Sequence, residues 1–116
     1  MNKPKYSLRK NLGYAVEGFL HVFRHEMIFK IEVALFVVLS IVAWSIDVTK
    51  CERLWLQVSL FLPIIAELLN SAVERGVDLT TRDYNRLAKA AKDSAAAACL
   101  LSVVMTLLIW AVVLVL

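Results

Sequence analysis

Glycine, proline and cysteine are scarce in this 116-residue chain, at three, two and two copies. Gly13, Gly18 and Gly76 are too few and too far apart for a dinucleotide-binding GxGxxG turn or a GxxxxGK[ST] phosphate loop. Cys51 and Cys99 have no CxxC spacing and cannot form a disulfide framework; each reads as an incidental small residue rather than a redox or metal site. No Ser-His-Asp arrangement stands out. Only two histidines occur, His21 and His25; their four-residue spacing permits metal or haem ligation but suits exposed interfacial positions better. The basic N-terminus leads into no short apolar core with a cleavage site, so a signal peptide is not expected. Charge is also low, at 20% of residues, while 60% are hydrophobic and mean hydropathy is +0.71. Soluble domains usually run about 45–50% apolar, and disordered or collagen-like chains are poorer still in apolar residues. A small soluble monomer could not bury so much apolar surface. What remains is a small all-α integral membrane protein, whose thirteen basic and ten acidic residues need an explanation.

Residues 33–46 form an uncharged apolar run, extended backward through Met27, Ile28, Phe29 and Ile31 around Lys30 and Glu32. A second run, 54–73, is interrupted by Gln57, Glu67 and Asn70, and a third, 95–116, carries no charge. About 20 helical residues cross a hydrocarbon core of roughly 30 Å. Three transmembrane helices are therefore expected, at 27–46, 54–74 and 94–116, within one domain spanning 1–116. Residues 1–25 are expected to form a surface helix, because Leu8, Leu12, Ala15, Phe19 and Phe23 recur at steps of three and four with polar residues largely elsewhere.

Basic residues set the expected orientation. Lys3, Lys5, Arg9, Lys10, Arg24 and Lys30 precede or open the first span, and Arg75, Arg82, Arg86, Lys89 and Lys92 cluster in the second loop. The first loop has only Lys50 and Arg53, balanced by Asp47 and Glu52. The positive-inside rule places the N-terminus and second loop in the cytoplasm and the C-terminus outside. Trp44, Trp55 and Trp110 then fall near the outer face, and Tyr6, Tyr14 and Tyr84 on the cytoplasmic side.

The second span carries the chemistry. Steps of three, four and four put Glu67, Asn70, Glu74 and Asp78 on one helical face. Such groups are costly in a membrane and normally face a partner, an ion or a wet cavity. Interhelical hydrogen bonding would explain one Asn, but three carboxylates in a row repel and point to a functional site. Glu74 and Asp78 near the cytoplasmic end suit a hard cation such as Mg²⁺ bridging substrate phosphates. Glu67 lies about 10 Å deeper than Glu74 by helical rise and is placed to accept a proton. Pro63 cannot donate to the Ser59 carbonyl and predicts a kink. Glu26 and Glu32 flank Lys30; Glu26 fits either a helical pair with Lys30 or a ligand at the depth of Glu74. Ala95–Ala98 allow close helix approach, and Lys92 suits either an interface anchor or a phosphate contact.

ELLNSAVERGVD at 67–78 and AKAAKDSAAA at 88–97, with GYAVEGF at 13–19 and Glu26-Met-Ile-Phe-Lys30-Ile-Glu32, strongly resemble the bacterial diacylglycerol kinase family. The resemblance covers residues 12–116. It implies a homotrimer in the inner membrane, each subunit giving three spans and a surface helix, with sites shared between subunits. It implies Mg²⁺-dependent transfer of phosphate from ATP to the primary hydroxyl of diacylglycerol, giving phosphatidic acid. By this resemblance Glu67 is the catalytic base, and Glu26 and Glu74 are the metal ligands. Asn70, Asp78, Lys92 and Asp93 match active-site and nucleotide-contact positions, and Tyr14, Asp83, Tyr84 and Asn85 lie near the nucleotide. Glu32, Ala96 and Trp110 fall in the lipid groove. Ser7, Glu17 and Leu20 depart from basic residues common at those positions. A related branch acts on undecaprenol and typically carries His where Glu32 stands, so Glu32 favours diacylglycerol.

Two other classes compete. A proton-coupled transporter would use Glu67 as its intramembrane carboxylate and would show substrate-linked proton flux without ATP. A haem-bearing anchor subunit would use His21 or His25 and would show a Soret band when purified.

Overall fold

The computed structural model describes residues 7–116, so Lys3, Lys5 and Tyr6 of the expected surface segment lie outside the described residues. Four helices occur in order: α1 (Leu8–His25), α2 (Met27–Ser45), α3 (Lys50–Thr80) and α4 (Arg86–Val115). The chain is all-helical over this range, and α2, α3 and α4 are long and apolar enough to cross a membrane.

Polar side chains define where the helices begin. Ser7, one of the departures from the family pattern, is the N-cap of α1 and accepts from the Lys10 N–H at 3.4 Å. Thr49 and Glu52 form a reciprocal capping box that starts α3. Asn85 Oδ1 accepts from the Leu87 and Ala88 N–H groups at 2.9 and 3.1 Å and starts α4. Between α1 and α2 a single extended residue, Glu26, serves as C-cap and N-cap at once.

The long helices exceed the expected spans. α3 has 31 residues and α4 has 30, about 45 Å each, against a core of roughly 30 Å. The helical ends at Asp78 and at Lys92–Asp93 are therefore continuous with the apolar segments, rather than belonging to a long loop. Ala, Leu, Arg and Lys between 86 and 93 favour helix, and Asn85 supplies the start that the expected boundary at 94 lacked.

α3 is central, packing most extensively on α4 and less on α2, while α1 touches α2 and α3 briefly. Few side chains are buried among the described residues: Phe29, Ala43, Leu56, Leu60 and Val22 are the apolar ones. Leu35, Ile41, Ile65, Leu100 and Leu107 are more than half exposed. Apolar exposure of this extent suits a lipid environment, where Leu gains nothing by hiding from its solvent.

Polar contacts tie the helices together. Gln57 accepts from Trp44 Nε1 at 2.9 Å and donates to Ser40 Oγ at 3.0 Å, joining α2 to α3. Arg53 donates to the Ala43 and Val48 carbonyls at 2.6 and 3.3 Å and lies 5.7 Å from the Trp44 ring centroid. The Ser59 carbonyl, released by Pro63, accepts from Thr106 Oγ1 at 2.9 Å. Trp110 Nε1 donates to Ser59 Oγ at 3.0 Å. The proline's missing hydrogen bond is thus replaced by one from α4, as transmembrane helices commonly require. Trp44 and Trp110 contact α3 at Gln57 and Ser59, at the end that also carries Trp55. Replacing Thr106 by Val should lower stability in detergent by about 1 kcal/mol, read as the unfolding midpoint, with Thr106→Ser close to wild type.

Candidate active site

At the opposite end from the tryptophans, α3 brings its polar face against three neighbours. The first is Glu26, whose position as the joint between α1 and α2 aims its carboxylate across at α3. Glu26 Oε2 accepts from Ser71 Oγ at 2.6 Å and from Arg75 Nη2 at 3.3 Å. No hydrogen bond or ion pair joins Glu26 to Lys30 side chain to side chain among the described residues. The helical pair that four-residue spacing allowed gives way because Glu26 stands outside α2, at its cap.

Glu67 is 8% exposed and Ser71 1%, so the deeper part of this face is enclosed, while Glu74 one turn on is exposed. Cys99 Sγ approaches Glu67 Oε2 at 3.5 Å from α4. Asn70 lies between the acidic residues, donating from Nδ2 toward Glu74 Oε1 at 3.5 Å. Two buried oxygens on this cluster, Glu32 Oε2 and Asn70 Oδ1, have no hydrogen-bond partner among the described residues.

Glu32 also lines a cavity of about 180 Å³ between α2, α3 and α4, whose other walls include Leu35, Phe36, Leu60, Pro63 and Leu107. This is a carboxylate set in an apolar slot. Ala96 is exposed on α4, and Trp110 is bonded to Ser59; neither lines that cavity.

Toward the α3–α4 connection, Lys92 Nζ bonds Asp78 Oδ1 at 2.7 Å and Lys89 Nζ bonds Asp93 Oδ2 at 2.5 Å. Lys92, Lys89 and Asp93, with Arg82, Asp83, Tyr84 and Asn85, line a polar groove of about 370 Å³. The groove thus gathers most of the residues expected at the nucleotide. Tyr14 is not among its lining residues; it is half exposed on α1. Arg82 and Lys89 join the groove, although the sequence marks them only as orientation signals. Their place in a basic cluster at the Asp83-Tyr84-Asn85 turn is the available clue.

The donor set fits Mg²⁺, which commonly takes one or two carboxylates and completes its shell with phosphate and water. Glu26 meets α3 at Ser71 and Arg75, the turn that also bears Glu74. Among the described residues no group of three or more His, Cys, Asp or Glu side chains could enclose a metal by itself. His21 and His25 stack on each other at 4.3 Å, and His25 Nδ1 lies 2.7 Å from the His21 carbonyl.

The chain is similar to known proteins over most of its length. The prokaryotic diacylglycerol kinase family model matches residues 13–114. A diacylglycerol kinase of Pseudomonas aeruginosa is 40% identical over 102 residues, covering 88% of this chain and 83% of that protein. One from Escherichia coli K12 is 34% identical over 106 residues, covering 90% and 86%. One from Helicobacter pylori J99 is 32% identical over 103 residues, covering 89% and 80%. The chain belongs to the prokaryotic diacylglycerol kinase family, and is a lipid kinase of a class that uses ATP.

The Ser71–Glu26 bond is a charge-assisted link between α3 and the α1–α2 joint. Ser71→Ala should therefore cost about 1.5 kcal/mol of stability, measured by denaturant titration in micelles.

Proposed function

We propose that this kinase transfers the γ-phosphoryl group of ATP to the primary hydroxyl of diacylglycerol, producing phosphatidic acid. The observation that carries the reading is the enclosed Glu67 carboxylate, set on α3 between the polar groove at 81–93 and the apolar cavity at Glu32. A nucleotide and a lipid alcohol need those two environments on either side of one proton acceptor.

In this reading the lipid keeps its chains in hydrocarbon and presents its hydroxyl at the level of Glu32 and Glu67. Glu67 accepts the hydroxyl proton as the oxygen attacks the γ-phosphorus in line. A new O–P bond forms, the bond to the bridging oxygen breaks, and ADP leaves with the electron pair. Lys92, held by Asp78, and the groove cations Arg82 and Lys89 neutralise the phosphate chain. Asn70 orients Glu67 and Glu74. Glu26 and Glu74 would hold Mg²⁺, which would supply positive charge against the phosphates when bound.

The reading includes a homotrimer with shared sites in the bacterial inner membrane, the N-terminus and the polar groove cytoplasmic and the C-terminus outside. The basic residues around the groove support that orientation. The role is in phospholipid metabolism, recycling diacylglycerol.

Side-by-side assays with MgATP should show faster phosphorylation of diacylglycerol than of undecaprenol. The reverse order would reassign the acceptor, and turnover of neither lipid would remove the kinase reading. Glu67→Gln should lower kcat by roughly 10²-fold or more while assembly in detergent is unchanged. Wild-type turnover in that variant would remove Glu67 as the base.

A further inference from the structure

Arg75 has no role in the proposed reaction, yet its guanidinium bonds one of the two carboxylates assigned to the metal. Nη2 donates to Glu26 Oε2 at 3.3 Å, and the side chain is 47% exposed. The same oxygen already accepts from Ser71 Oγ at 2.6 Å. Ser71 therefore positions Glu26, and Arg75 supplies its positive charge. Arg75 thus links the α1–α2 joint to the turn of α3 that bears Glu74.

A divalent cation and a guanidinium on one carboxylate repel each other strongly at such separations. Arg75 has an exposed, flexible stem and five N–H donors, only one of which is engaged among the described residues. Its planar fork matches phosphate oxygens better than a single carboxylate oxygen. We propose that Arg75 is an exchangeable counter-ion of the active site: it neutralises Glu26 while the metal is away, yields that carboxylate to the metal, and moves to the phosphate chain that arrives with it. This rests on Glu26 being a metal ligand. The exchange gives the nucleotide-free protein a low affinity for the bare cation and favours the metal–nucleotide complex, which accommodates both charges.

The test is Mn²⁺ titration by electron paramagnetic resonance on the full chain in micelles, without nucleotide, alongside ATP kinetics. Arg75→Ala should bind Mn²⁺ roughly two- to five-fold more tightly, the range expected for loss of a half-exposed ion pair. Its KM for ATP should rise. Arg75→Lys should restore both values toward wild type, and Arg24→Ala, which removes a nearby charge without this bond, should change Mn²⁺ affinity less. Unchanged or weaker Mn²⁺ binding in Arg75→Ala, or an equal gain in Arg24→Ala, overturns the exchange. Loss of Mn²⁺ binding in Glu26→Gln distinguishes that outcome from failure of the ligand assignment. Mn²⁺ binding that ignores Glu26→Gln removes both.

Discussion

The polar contacts that join α3 to α4 depend on the antiparallel register of the two helices. Hydrocarbon offers no water to a stray hydroxyl, amide or carbonyl, so each one placed there needs a protein partner. From one end to the other, Trp110 and Thr106 meet Ser59, Cys99 meets Glu67, and Lys92 meets Asp78. A one-residue shift of either helix would rotate its contacts by about 100° and disconnect all of these together. The register is consequently shared between the stabilising contacts near the tryptophans and the chemically useful ones near the groove.

Pro63 shows how closely the two are linked. The carbonyl it releases is taken up by Thr106, and both residues also line the apolar cavity beside Glu32. The break in backbone bonding therefore contributes to the wall of a slot that suits a lipid chain. At the other end, the lengths of α3 and α4 carry rigid helix beyond the hydrocarbon, so the polar groove is formed by helix ends and a short turn.

The helix count, the acidic face of α3 and the clustering of basic residues are legible because they are periodic or compositional. Glu67, Asn70, Glu74 and Asp78 share a face by spacing alone. The α4 boundary is less legible, since charge at Lys89 and Lys92 masks a helix that Asn85 begins by capping. The partner of Glu26 is not legible either: whether it pairs with Lys30 four residues on, or with Arg75 across the bundle, depends on the joint at Glu26 itself. Cys99 looks incidental until α4 is set against α3. Its contact with Glu67 arises from packing, and no local pattern in an alanine-rich stretch announces it. Tyr14 illustrates the converse, a residue matched by motif that the described fold leaves outside the groove.

One residue separates α1 from α2, and that residue carries the carboxylate bonded to Ser71 and Arg75. A longer linker would let the surface helix move without disturbing α2 or the acidic face of α3. Here joint and side chain belong to the same residue, so α1 acts as a lever with Glu26 at its fulcrum. Any tilt of α1 relative to α2 therefore pulls on the bonds that Glu26 makes to Ser71 and Arg75.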